Sequence, residues 1–194
     1  FYDHRPNRAL AAQYAHGKTV LDVFSYLGGW GLTCAMNGAS SVLCADASEL
    51  ALDGVMNNAR LNHCADRVST RLGDAFETMD QLRQEKQRFD VVIVDPPAFI
   101  ARRKDIEAGE RAYQKLNDMA MKLVSPGGLL ISASCSMHLE NDRLRDMVRA
   151  SARSLDRHAL ILAEGGQGAD HPVLPAVKET RYIKAIFAQI TAGL

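Results

Sequence analysis

Between positions 89 and 99 the chain reads Phe89-Asp90-Val91-Val92-Ile93-Val94-Asp95-Pro96-Pro97-Ala98-Phe99, an apolar run rich in β-branched residues that stops at an acid and two prolines. A run of that length bounded by breakers predicts a strand buried on both faces, and such strands belong to parallel sheets covered by helices. Asp95 then stands at the carboxyl end of a strand, the edge at which open α/β sheets bind ligands. Pro96 and Pro97 fix φ and remove two backbone donors, so the loop presents rigid carbonyls and one carboxylate. A lone Asp-Pro reads most simply as a surface turn. A second proline followed by the aromatic Phe99 favours a site.

The pattern of an acid after a strand recurs. A short helix capped by Asn7 and ended by Gly17 precedes a first buried strand over residues 18–24. Residues 25–31 form a glycine-rich turn opening a helix to about residue 38, and such a turn lets backbone approach a nucleotide-like group closely. The dinucleotide fingerprint G-x-G-x-x-G is absent, which disfavours a nicotinamide or flavin oxidoreductase. The second strand, 41–46, ends in Asp46, where a βαβ fold hydrogen-bonds a ribose; the plainer reading is a charge beside a helix capped by Ser48. The third strand, 67–72, runs into Gly73-Asp74-Ala75. Asp46, Asp74 and Asp95 on one sheet edge together predict a pocket.

Helices are expected over 48–62, 76–86, 107–124 and 140–154. A turn at 125–128 leads to a fifth strand over 129–134, followed by Cys135-Ser136-Met137-His138. Two last strands, 159–162 and 182–190, are joined by a polar loop instead of a helix. The implied fold is α/β, a seven-stranded mostly parallel sheet with an antiparallel last strand and helices on both faces. No internal repeat or linker divides the 194 residues, so one domain is expected.

Charge narrows the partners. Lys and Arg number 23, as do Asp and Glu, so no global attraction to nucleic acid or membrane is visible, which counts against a self-sufficient RNA binder. The basic triplet Arg102-Arg103-Lys104 reads equally as a phosphate contact or as solvated surface. Cys34, Cys44, Cys64 and Cys135 show no metal or disulfide spacing, which suits a reducing cytoplasmic compartment, and no apolar run reaches membrane-spanning length. The sequence begins at Phe1 without methionine, as a fragment missing an amino-terminal module would.

With residues 20–29, Asp46, Asp74, Asp95-Pro96-Pro97-Ala98-Phe99 and Ser134-Cys135-Ser136 in hand, the sequence resembles class I, Rossmann-like S-adenosylmethionine-dependent methyltransferases. More closely it is similar to the large-subunit ribosomal RNA cytosine-C5 methyltransferase family, over nearly the whole chain, including residues 1–8, 170–172 and 181–184. The resemblance implies S-adenosylmethionine as cofactor. Phe24, Ser25, Tyr26, Gly28 and Gly29 would line its methionine end, Asp46 and Ala47 its ribose, Asp74 and Ala75 its adenine, with Asp95 beside them. It implies ribosomal RNA as substrate, met by Pro96, Pro97, Phe99, Arg102 and Arg103. Family members usually carry an amino-terminal PUA RNA-binding domain, so by the resemblance these residues are expected to be a fragment without it. The opening Phe1-Tyr2-Asp3-His4-Arg5 is shorter than theirs, so neither Asp3 nor Arg5 is given a cofactor role.

Carbon 5 of a pyrimidine is a poor nucleophile until a thiolate adds to carbon 6. Cys135, expected at a strand end beside the one that ends in Asp95, suits that addition. The site should lower the thiol pKa from roughly 8.5, with His138 or the turn before the 140–154 helix as the local sources of positive charge. The resemblance gives Asp95 the polar edge of the base and protonation as the adduct forms, and leaves unnamed the group that takes the carbon 5 proton. Cys34, Cys44 and Cys64 read as core, and Cys135 itself would be a core thiol on the plainer reading. His138 and His171 read as structural and Trp30 as packing. A flipped or unpaired base would stack on Phe99 or Tyr26. The rivals are an amino-group methyltransferase using the Asp-Pro-Pro-aromatic loop, a uridine-C5 enzyme, disfavoured by Ser136-Met137 after the cysteine, and a non-catalytic RNA-binding domain of the same fold.

Overall fold

A computed structural model describes residues 2–193; Phe1, part of the opening segment, lies outside them. Seven strands form one sheet in the order β3-β2-β1-β4-β5-β7-β6. They are β1 (Thr19–Val23), β2 (Ser41–Asp46), β3 (Val68–Leu72), β4 (Phe89–Val94), β5 (Val124–Ser134), β6 (Arg157–Gly165) and β7 (Lys184–Ala192). β1 to β5 run parallel, and β7 lies antiparallel between β5 and β6. The chain builds outward from β1 in one direction and returns to begin β4 on its other side. This places the point where strand order reverses between β1 and β4, and ligand crevices form at such points.

The apolar alternation of β4 divides the core. Val91 and Ile93 face a layer made by α1 (Arg5–Ala15), α2 (Gly29–Met36) and α3 (Glu49–Leu61). Val92 and Val94 face the opposite layer of α4 (Ala75–Gln84), α5 (Ile106–Leu123) and α6 (Asn141–Ser154). Both faces of the central strands are therefore dry, as the unbroken apolar run requires.

Local chemistry starts these helices where the sequence suggests, with one exception. Ser48 Oγ accepts from the Ala51 amide at 3.2 Å, and Asp74 Oδ1 accepts from the Phe76 and Glu77 amides. α1 instead begins at Arg5 with Pro6 in its first turn, and Asn7 lies inside it. Asn7 is no cap: its amide donates to the Gly166 carbonyl at 2.9 Å and lies 3.0 Å from His4 Nδ1. β5 also departs from expectation. It begins at Val124, ahead of the glycine turn, which becomes an irregularity in the β4 pairing with Gly127 at φ +76°. β6 is longer than its apolar stretch because it pairs with β7 along its length.

Candidate active site

The carboxyl edge of the sheet collects the residues the sequence singles out. After β1 the backbone passes through left-handed conformations at Phe24 (φ +63°), Tyr26 (+49°) and Gly28 (+81°) before α2 begins. Positive φ at two non-glycine residues is stored strain of the kind found where backbone is shaped for a ligand. A side chain at Gly28 would also meet Leu32 at 2.9 Å, so glycine is needed there twice over. Gly31, one turn later, sits so close to β2 that an added Cβ would lie 2.8 Å from Cys44 Sγ.

Asp46 holds this turn. Its Oδ2 accepts from the Tyr26 amide at 2.8 Å and its Oδ1 from the Ser48 amide at 2.9 Å. Asp74 is occupied as the α4 cap. Asp46 therefore does structural work, as its plainer reading had it, and Asp74 does too, as a helix cap that the sequence reading had not assigned; each follows a strand at the carboxyl edge of the sheet. The Ser25 hydroxyl is buried with no hydrogen-bond partner among the described residues. Carboxylates after β2, β3 and β4, an orphaned hydroxyl and strained backbone suit a ligand carrying hydroxyls, an amine and a cationic centre. S-adenosylmethionine has all three.

Asp95 is more firmly held than a loop acid needs to be. Trp30 Nε1–H donates to its Oδ2 at 2.9 Å, and His4 Nε2 lies 3.4 Å from its Oδ1. Trp30 is thus a hydrogen-bond donor as well as packing. His4 Nδ1 lies 3.0 Å from the Asn7 amide nitrogen, while Nε2 is buried near Asp95 without a hydrogen bond among the described residues. Burial lowers the His4 pKa, opposed by Asp95 and Asp3. His4 escaped notice in the sequence, where an isolated histidine in a short opening segment carries no pattern. The same segment is tied to the loop after β6: the Gly168 amide donates to the Asp3 carbonyl and Tyr182 Oη–H to Asp3 Oδ2. The terminal, 166–171 and 182–184 segments therefore converge on one place.

Cys135 follows β5 and is partly exposed between two fully buried serines. Ser134 Oγ donates to Tyr113 Oη at 2.9 Å and accepts from the Ser136 amide at 3.1 Å, while Tyr113 Oη lies 2.8 Å from Ser136 Oγ. The Ile100 amide also donates to Ser136 Oγ, at 3.3 Å. One buried network thus fastens the cysteine turn to the loop that follows Asp95. The thiol pKa is raised, not lowered: burial comes first, then the charges of Asp95 and Asp3. The cation that opposes them is Lys184, for which no local pattern argued, and not His138.

Phe99 is packed among Phe24, Phe76 and Tyr113, with ring centroids 6.4, 6.5 and 4.8 Å away. It anchors the loop from beneath. Tyr26 is half exposed, Pro96 is buried and Pro97 exposed. Arg102 pairs with Asp105 at 3.0 Å on the surface, and Arg103 is exposed beside it. Cys34, Cys44 and Cys64 are buried, and burial pushes Cys34 up to about 12. Asp22, which the sequence reading passed over, is fully buried on β1. Its Oδ2 accepts from the Gly31 amide at 2.8 Å and its Oδ1 has no partner among the described residues, so burial pushes its pKa up to about 7. No cluster of metal-binding side chains occurs among the described residues.

A doubly wound sheet with strained backbone and acids at its switch point defines a nucleotide-binding α/β protein of methyltransferase type. Residues 1–186 match the S-adenosylmethionine-dependent methyltransferase family, and the chain belongs to it. Its cofactor is S-adenosylmethionine, and the orphaned Ser25 hydroxyl with the acceptor carboxylates of Asp46 and Asp95 fits the hydroxyls, amine and sulfonium of that group. The chain is 35% identical over 191 residues to ribosomal RNA large subunit methyltransferase I of Shewanella frigidimarina, and 36% identical over 188 residues to the protein of that name from Aeromonas hydrophila. These matches cover 98% and 96% of this chain but only 48% and 47% of the relatives, so the chain spans about half their length. Among solved structures, a methyltransferase complexed with S-adenosylhomocysteine superposes with TM-score 0.86 at 23% identity, covering 97% of this chain and 50% of that one. A tRNA m1G37 methyltransferase from M. jannaschii superposes at 0.66 with 17% identity, covering 97% and 49%. The fold is common to both.

Proposed function

We propose that this chain is the methyltransferase domain of an enzyme that methylates carbon 5 of a cytosine in large-subunit ribosomal RNA through a Cys135 adduct. The observation that carries the reading is the Ser134–Tyr113–Ser136–Ile100 network, which holds a partly exposed thiol in fixed relation to the loop of Asp95. The name borne by the Shewanella and Aeromonas relatives supports the RNA substrate. Residues 1–194 form the catalytic unit, and the remaining length of such relatives supplies an RNA-binding module of PUA type, in a cytoplasmic protein.

The steps follow from the groups present. Cys135 gives its proton to water and its sulfur adds to carbon 6 of the base, while Asp95 in its protonated form, held by Trp30 and flanked by His4, passes its proton to the ring nitrogen on the polar edge where the negative charge develops. The bound cofactor supplies an electrophilic methyl group on a sulfonium. Carbon 5, made enamine-like, would take that methyl and leave S-adenosylhomocysteine; the carbon 5 proton would then pass to solvent as the carbon–sulfur electron pair returns to Cys135, and the ring nitrogen would give its proton back to Asp95. Asp46, Asp74, Ala47 and Ala75 with the Phe24–Gly29 turn hold the cofactor, Pro97 and Tyr26 border the base, and Arg102 and Arg103 meet RNA phosphates. The amino-group alternative asks the aromatic after Pro-Pro to meet the base. Phe99 packs against Phe24, Phe76 and Tyr113 and stays partly exposed, so it serves either reading, and the partly exposed thiol that follows β5 is what favours the cysteine reading.

The test is covalent trapping. Ribosomal RNA carrying 5-fluorocytidine cannot lose a proton from carbon 5, so a Cys135 enzyme stops as a protein–RNA adduct that survives denaturing electrophoresis. The adduct is expected from wild type with S-adenosylmethionine and absent from Cys135→Ala. No adduct from an enzyme that methylates ordinary RNA would overturn the mechanism.

A further inference from the structure

Lys184 opens β7 and is only 6% exposed. Its Nζ donates to the Ser136 carbonyl at 2.6 Å, and the strand register sets it directly opposite Ser134. It thus arrives on the residues that flank Cys135 on both sides. We propose that Lys184 is the cation that sustains the Cys135 thiolate, a positioning residue for the nucleophile that β7 delivers to the strand-end turn. The inference rests on the reading of Cys135 as nucleophile.

Burying an ammonium without a carboxylate partner is expensive, and an apolar side chain of similar length would suit a purely structural position better. A carbonyl satisfies one of its three donors. Among the described residues the one titratable group that acts on the ammonium is Cys135, and burial draws the lysine down to about 8. The groups around the thiol are lopsided. Asp95 at the end of β4 and Asp3 of the opening segment oppose its ionisation, and the phenols of Tyr113 on α5 and Tyr182 before β7 are neutral neighbours. Lys184 is the cation of the set. Below about pH 8, where the lysine still holds its proton, the fraction of thiol that ionises passes its proton to water and keeps the electron pair on Sγ with the ammonium beside it, so the buried pair stays near neutrality.

The test reads thiol ionisation without RNA or cofactor. Alkylation of Cys135 by iodoacetamide, in which sulfur replaces iodide, is followed by peptide mass spectrometry from pH 6 to 10 in wild type, Lys184→Met and Lys184→Arg. Lys184→Met is expected to raise the midpoint by about one pH unit and to slow alkylation about tenfold at pH 8, with Lys184→Arg near wild type. An unchanged midpoint in folded Lys184→Met would overturn the proposal. Should that variant fail to fold, the reciprocal titration decides: the Cε resonance of carbon-13-labelled Lys184 should titrate at lower pH in Cys135→Ser than in wild type, and equal midpoints would overturn it. Failure of the nucleophile reading looks different, since methylation by Cys135→Ala leaves the alkylation result untouched.

Discussion

Asp22 gives the sharpest quantitative test of how the start of α2 is held against β1. Its carboxylate is fully buried on β1, with one oxygen on the Gly31 amide and the other unpartnered. Burial, with Asp95 and Asp46 adding to it, raises the pKa from 3.8 to about 7. A carboxyl that holds its proton more tightly when folded makes stability fall as pH rises, here between about 4 and 7, because the unfolded chain releases the proton first. About three pH units at ~1.4 kcal/mol each sets a ceiling of roughly 4 kcal/mol on that loss. Asp22→Asn keeps an oxygen for the Gly31 amide and removes the charge. We expect urea unfolding to show it equal to wild type near pH 4 and more stable by about 2–4 kcal/mol above pH 7. A stability difference that does not change with pH, or an asparagine variant less stable at pH 8, would refute the buried-charge reasoning.

Three further outcomes follow from named contacts. Trp30→Phe removes the indole donor to Asp95 and should lower kcat roughly 10- to 100-fold with little change in the melting temperature, checked by steady-state methylation and calorimetry. Tyr113→Phe strips the hydroxyl that joins Ser134 to Ser136 and should cost about 1–2 kcal/mol in urea unfolding, with a slower Cys135 reaction. Asp46→Ala frees the Tyr26 and Ser48 amides and should weaken S-adenosylmethionine binding about tenfold or more by titration calorimetry, whereas unchanged affinity would remove Asp46 from the cofactor site.

The sheet was legible because its signals are local. The β4 run, the acids closing β2 and β4 and the Ser48 cap each follow from a few neighbouring residues, and the helices fall within a few residues of expectation. The antiparallel β7 could be read from the missing helix before it. What escaped was whatever depends on distant parts of the chain meeting. His4 acquires meaning from Asp95, 91 positions away, and Lys184 from the Ser136 carbonyl across a strand pairing. Asn7 has the chemistry of a cap but spends its amide on Gly166. The aromatic after Pro-Pro likewise gives no sign in sequence of the three rings that Phe99 packs against. Asp22, in the middle of an apolar strand, gives no hint in sequence of the Gly31 amide it meets.

The thiolate claim is met most directly by incubating the 194-residue chain and its Cys135→Ala variant with methyl-labelled S-adenosylmethionine and unmodified large-subunit ribosomal RNA, then digesting the RNA and identifying the labelled nucleoside. Labelled 5-methylcytidine from wild type and none from Cys135→Ala is the expected result. Label on an exocyclic or ring nitrogen, or undiminished label from Cys135→Ala, would contradict it.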